Sequence, residues 1–180
     1  MPTKTSASSA PEKPTVFLSY SHADRRWLGE LRTMLAPLVH DSLVELWWDG
    51  DIKPSDKWRE EIDKALASAR IGLLLVSPSF LASDFISRKE LPYLIDAARE
   101  RGVALLWVLL SECLHEHTPL AEIQAAHEIS RPIRSLRPAE RAAVLKGIGQ
   151  KIVAAAAGDL TPCPPLPSPY PPTPGEGGRD

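Results

Sequence analysis

A chain of 180 residues is long enough for one domain with a full hydrophobic core. Its net charge of −2 leaves no basic excess of the kind that tracks a phosphate backbone, so no nucleic-acid partner is expected. The longest apolar run, from Val103 to Leu110, falls far short of the roughly 20 residues that span a bilayer. The first fourteen residues lack the apolar stretch of a signal peptide. No membrane partner is expected, and the chain is expected in the cytoplasm.

Residues 1–14 are small, polar and proline-containing, and they read as a disordered leader. The first apolar run is Val16–Ser19. A helical pattern comes next, with Trp27, Leu28, Leu31, Leu35 and Leu38 recurring at 3.6-residue spacing. Ser21 and Asp24 have the spacing of a capping box at its start. The second run is Val44–Trp48. After it, Trp58, Ile62, Ala65, Leu66 and Ala69 share one helix face, with Ser55 as the opening residue. The third run is Ile71–Val76. Leu91, Leu94, Ile95 and Ala98 mark the next helix, which ends near Gly102, and Pro92 predicts a kink or a restart in it. Val103–Leu110 is the fourth run. Segment 112–130 reads as a short or irregular helix, and a weaker fifth strand is expected near Arg131–Ser135. The last helix opens at Pro138, carries Leu145, Ile148 and Ile152, and stops at Gly158. Residues 161–174 hold eight prolines in fourteen positions and cannot bury a core. Residues 159–180 therefore read as a free tail or as a linker to a further domain.

Apolar runs without a polar face suit strands buried on both sides of a parallel sheet. Alternation with helices implies a flavodoxin-like three-layer α/β fold over residues 15–158, with five parallel strands in the order 2-1-3-4-5 and helices on both faces. Ligands of such folds bind beyond the carboxyl ends of the strands, where the strand order reverses. Here that place lies between Ser19-Tyr20-Ser21 and Ser77-Pro78-Ser79, with Trp48-Asp49-Gly50 alongside.

Three common uses of this architecture fail. The chain has no phosphate-cradling G-x-x-x-x-G-K-[ST] loop and no G-x-G-x-x-G turn for a retained dinucleotide cofactor. It also lacks the carboxylates that a phosphoacceptor domain needs at the ends of strands one and three. Cys113, His115 and His117 alternate, but structural zinc sites usually combine two separated ligand pairs, so this stretch reads as a polar loop and no metal is called for.

Phe17-Leu18-Ser19-Tyr20-Ser21 resembles the first motif of the Toll/interleukin receptor (TIR) domain family. Trp48-Asp49-Gly50-Asp51-Ile52-Lys53-Pro54-Ser55 resembles its second, the loop after strand two. Ser77-Pro78-Ser79-Phe80-Leu81-Ala82-Ser83-Asp84-Phe85, followed by Lys89-Glu90-Leu91, resembles the bacterial-type third helix with its glutamate. Phe85 departs from the pattern, standing where many relatives have Trp or Tyr. The three motifs come in order, and the resemblance covers about 140 residues.

The resemblance implies one of two functions. The first is an enzyme that cleaves NAD at the nicotinamide–ribose bond, giving nicotinamide and ADP-ribose or a cyclic form. This would be an immune or defence effector, with NAD as substrate, no separate cofactor and Glu90 as the catalytic carboxylate. Substrate-binding candidates are then Ser19, Tyr20, Ser21, Trp48, Asp49, Lys53, Ser83 and Phe85, of which Tyr20, Trp48 and Phe85 offer aromatic faces. The second is a non-catalytic adaptor that works through TIR–TIR contacts. Either implies self-association through the loop from Asp49 to Lys57, and a sensor domain or partner beyond the Pro-rich tail. The residues themselves leave simpler roles open. Ser87-x-x-Glu90 is also a capping box, Tyr20 and one of Trp47 and Trp48 suit core packing, and Lys53 suits a solvated loop.

Overall fold

A computed structural model describes residues 13–48, 58–83 and 91–159. Residues 1–12 of the leader, the loop 49–57, the segment 84–90 and residues 160–180 of the tail lie outside the described residues. Among the described residues the order is β1 (Thr15–Tyr20), α1 (Arg25–His40), β2 (Glu45–Trp48), α2 (Trp58–Ser68), β3 (Ala69–Val76), α3 (Pro78–Ala82), α4 (Leu91–Glu100), β4 (Ala104–Leu109) and α5 (Pro138–Ala156). The strands form a parallel sheet in the order β2-β1-β3-β4.

Every side chain of β4 is buried, as is nearly every one of β3, because helices cover both faces. Alternation along the strands sorts them into two cores. Val16, Leu18, Leu73, Leu75 and Leu106 face Leu28, Leu31 and Leu35 of α1 and Leu145, Ile148 and Ile152 of α5. Phe17, Leu74, Val76, Leu105 and Trp107 face Leu66 of α2, Phe80 of α3 and Leu91, Leu94 and Ile95 of α4. The helix after β1 thus lies on one face and those after β3 on the other. That divergence opens the crevice between the ends of β1 and β3.

Helix ends obey local chemistry. α4 stops where Gly102 adopts φ 67°, which lets the Val103 N–H reach the Ala98 carbonyl at 2.8 Å. α5 starts with Pro138 in its first turn. Ahead of it, the Glu140 carboxylate accepts the Arg137 backbone N–H at 3.1 Å and is gripped by the Arg131 and Arg137 guanidinium groups. The Arg137 and Arg131 hydrogen bonds hold its pKa down to about 2.

The expected fifth strand is not formed at Arg131–Ser135. Ile133–Ser135 is a 3-10 turn, with Pro132, which has no N–H to give a ladder, just before it. The edge of β4 is met piecemeal instead. Trp107 makes a single parallel bridge with Ala125. The Leu109 N–H donates to His127 Nε2 at 3.0 Å, and the Arg134 N–H donates to the Leu110 carbonyl at 2.9 Å. Segment 112–130 is irregular as expected, with 3-10 turns at His115–His117 and Pro119–Glu122.

His127 therefore takes the place of a strand carbonyl, and it does so only with Nε2 unprotonated. Burial pushes its pKa below 6.5. With the folded value below the unfolded one, the unfolded chain takes up a proton first as pH falls. The contribution of His127 is complete above about 6.5 and is lost as pH falls from there through the folded value. The Gln oxygen of His127→Gln still accepts from Leu109 but does not titrate. Melting temperatures measured from about pH 7.5 down to about pH 5.5, a range that spans the ordinary imidazole value, should fall more for the wild type than for this variant. Parallel curves would show that His127 does not carry the dependence.

Candidate functional site

The carboxyl ends of β1 and β3 stand side by side, with Tyr20 opposite Leu75 in the register. Ser19 is half-buried, and strand alternation turns it toward the α2–α4 face. Tyr20 points the other way, into the core under α1. It is 9% exposed, its ring meets His22 edge-on at 6.1 Å, and its phenol oxygen is buried without a hydrogen-bond partner among the described residues.

Ser21 precedes a 3-10 turn at His22–Asp24, and its carbonyl accepts the Asp24 N–H at 2.7 Å. The expected capping box between Ser21 and Asp24 is absent, since neither side chain makes a capping bond there. The Asp24 carboxylate turns inward instead and accepts the Ser77 hydroxyl at 2.5 Å. Ser77 Oγ in turn accepts the Phe80 N–H at 3.0 Å and so caps α3, which begins with Pro78. This buried pair links the chain leaving β1 to the chain leaving β3. The Ser-Pro start of α3 is readable in sequence. Asp24 carries no such signal, because its partner lies 53 residues away.

Trp48 pairs in register with Leu18 and so lies on the α1 face, where the Arg32 guanidinium sits 3.8 Å from its ring centroid. Arg32, Thr33, His40, Glu45 and Trp48 line a groove of about 630 Å³ between α1 and β2. Trp47 is the tryptophan on the face of α3 and α4, stacked on Phe17 with centroids 5.3 Å apart. Ser83 comes directly after α3 and is half-exposed. Asp49, Lys53, Phe85 and Glu90 lie outside the described residues, as does Ser87 of the alternative capping box.

The Cys113–His117 stretch is tied to packing. His115 lies against Trp107 with ring centroids 4.9 Å apart, and Trp107 Nε1 donates to the Ile123 carbonyl at 2.8 Å. Burial raises the pKa of the Cys113 thiol. Among the described residues no three His, Cys, Asp or Glu side chains are grouped to hold a metal ion. No helix among them is long and apolar enough to cross a membrane.

The family model described as TIR domain matches residues 16–137. The chain belongs to the TIR domain family. The matched stretch runs from β1 to the residue before α5 and contains both ends of the crevice. A protein of Sinorhizobium fredii (strain NBRC 101917 / NGR234), the uncharacterized protein y4lF, is 30% identical over 120 residues, which is 67% of this chain and 37% of that protein. The chain thus matches little more than a third of that relative's length. A solved structure of the TIR domains in the activated Roq1 resistosome, which directly recognizes the pathogen effector XopQ, aligns with a TM-score of 0.42 at 14% identity. The alignment covers 77% of this chain and 84% of that one.

Proposed function

We propose that this TIR domain is an NAD glycohydrolase acting in the cytoplasm, with Glu90 as its catalytic carboxylate. The observation that supports the reading is where the motif begins: Ser77 and α3 leave the end of β3 beside the end of β1, at the point where the strand order reverses, and Glu90 follows in the sequence. Family membership supports the same frame.

The chemistry suits a single carboxylate. Cleavage of an ordinary glycoside needs an acid to protonate the leaving group. The nicotinamide of NAD is already a pyridinium cation, so it departs as a neutral base with the bonding pair and needs no proton. Positive charge then develops on the ribose carbon and ring oxygen, where a fixed carboxylate is most stabilising. Water adds to that carbon and loses a proton to give ADP-ribose, whereas a nucleophile within the substrate gives a cyclic form. In this reading Ser19, Ser83 and the loop residues Asp49 and Lys53 supply polar contacts to NAD.

The effector works by self-assembly through the loop 49–57, in a defence response triggered by a sensor domain or partner beyond the Pro-rich tail. Head-to-tail contacts of that kind propagate and let one subunit complete the site of the next. Incubation with NAD over a range of protein concentrations tests this. Nicotinamide released per molecule should rise steeply where oligomers form. A strictly linear total rate across that range would contradict activation by assembly, and a non-catalytic adaptor would release none at any concentration.

A further inference from the structure

Thr15, Asp24 and Ser77 are the buried polar side chains among the described residues, and two of the three bond each other at the mouth of the crevice. Asp24 is 8% exposed and Ser77 is 2% exposed. A buried charge of this kind adds little net stability, because removing a carboxylate from water offsets most of what its hydrogen bond returns. An apolar pair of similar shape often does as well. What a charged hydrogen bond supplies and an apolar contact does not is direction.

We propose that Asp24 is a positioning residue, acting through Ser77 to set the angle at which the chain leaves β3. The inference rests on the reading of Glu90 given under the proposed function. The link has three members in line: the Asp24 carboxylate, the Ser77 hydroxyl and the Phe80 N–H. The Leu81 N–H also closes on the Ser77 carbonyl at 3.0 Å, so Ser77 holds the first turn of α3 from both its side chain and its backbone. Asp24 itself is anchored by its N–H on Ser21 and by the start of α1. α3 ends at Ala82, and Ser83 and then Glu90 follow it in the sequence. Under that reading, loss of this link tilts α3 and, through the chain that follows it, misplaces the catalytic carboxylate. A misplacement of about 1 Å at a reacting group can cost about 10² in rate. Asp24 touches no substrate, so its loss should lower kcat and leave KM nearly unchanged.

The test uses the full chain, assembled, with two measurements: steady-state nicotinamide release from NAD, and amide exchange of Phe80 and Leu81. Ser77→Ala and Asp24→Ala each remove one end of the link and are expected to lower kcat by about tenfold or more, with KM within about threefold. Their Phe80 and Leu81 amides should exchange faster. Ser77→Thr keeps the hydroxyl and should recover kcat. The double variant Asp24→Leu with Ser77→Ala loses the cap of α3 but leaves no unpaired carboxylate, so it should melt no lower than Ser77→Ala, yet it should remain as slow as Ser77→Ala. Wild-type kcat in that double variant, or unchanged exchange in both single variants, would overturn the positioning role. A rise in KM with kcat unchanged would also overturn it, by making Asp24 a substrate contact. A wild type that releases no nicotinamide would overturn the catalytic reading and its consequence for Asp24, while the exchange measurement separately decides whether the link holds α3.

Discussion

Nicotinamide release by Glu90→Gln should fall by about 10² or more relative to the wild type, with little change in melting temperature. Gln keeps the size of the side chain and much of its hydrogen bonding but removes the negative charge. If the carboxylate stabilises an oxocarbenium-like transition state, the charge is what matters. The simpler role of Glu90, as the fourth residue of a Ser87-x-x-Glu90 capping box, makes the opposite forecast. Gln completes the same box, so the variant would keep both its stability and its turnover. Measuring the two properties on the same preparations separates these roles, and undiminished turnover in Glu90→Gln would remove Glu90 from the mechanism.

The largest effect on stability is expected from Leu73→Ala. Leu73 is fully buried in the central strand β3 and pairs in register with Leu18 of β1 and Leu106 of β4. Its side chain belongs to the core under α1 and α5. Truncation there loses transfer energy and leaves a cavity, together about 2–5 kcal/mol. Domains of this size are stable by only about 5–15 kcal/mol, so the loss is a large fraction of the whole. In melting temperature it corresponds to a fall of about 5–20 °C. Leu73→Met, which conserves volume, should cost less than about 1.5 kcal/mol. Denaturant unfolding of the two variants checks this, and equal costs would mean that the cavity is not what matters at this position.

β1, β3 and β4 were legible as apolar runs without a polar face, and β2, an edge strand with Glu45 exposed, was legible from Val44, Leu46, Trp47 and Trp48. The run Val103–Leu110 is β4 with one residue added at each end, and Val16–Ser19 is β1 lacking one residue at each end. The end of α5 at Gly158 and its start at Pro138 were legible for local reasons, a φ of 88° and a first-turn proline. The fifth strand was not. Ile133 and Leu136 are buried in the same core three residues apart, a spacing that suits a 3-10 turn and not the two-residue alternation of a strand.

The site was legible in outline only. Adjacent tryptophans at the end of a strand must face opposite ways, and a one-residue slip in register exchanges them. The pairing of Phe17 with Trp47 and of Leu18 with Trp48 settles it. It puts Trp48 under Arg32 on the α1 face and leaves Trp47 on the face of α3. Tyr20 is likewise a strand residue whose parity sends it into the core, although its phenol oxygen lacks a partner among the described residues. The Asp24–Ser77 pair joins positions that are remote in sequence, so no local pattern announces it. Spacing alone makes Asp24 part of a cap that the fold does not form.

Release of free nicotinamide from NAD by the assembled wild-type domain tests the account most directly. Concentrated or forcibly clustered protein should convert NAD to nicotinamide and an ADP-ribose product, and no release from protein shown to be assembled would contradict the assignment.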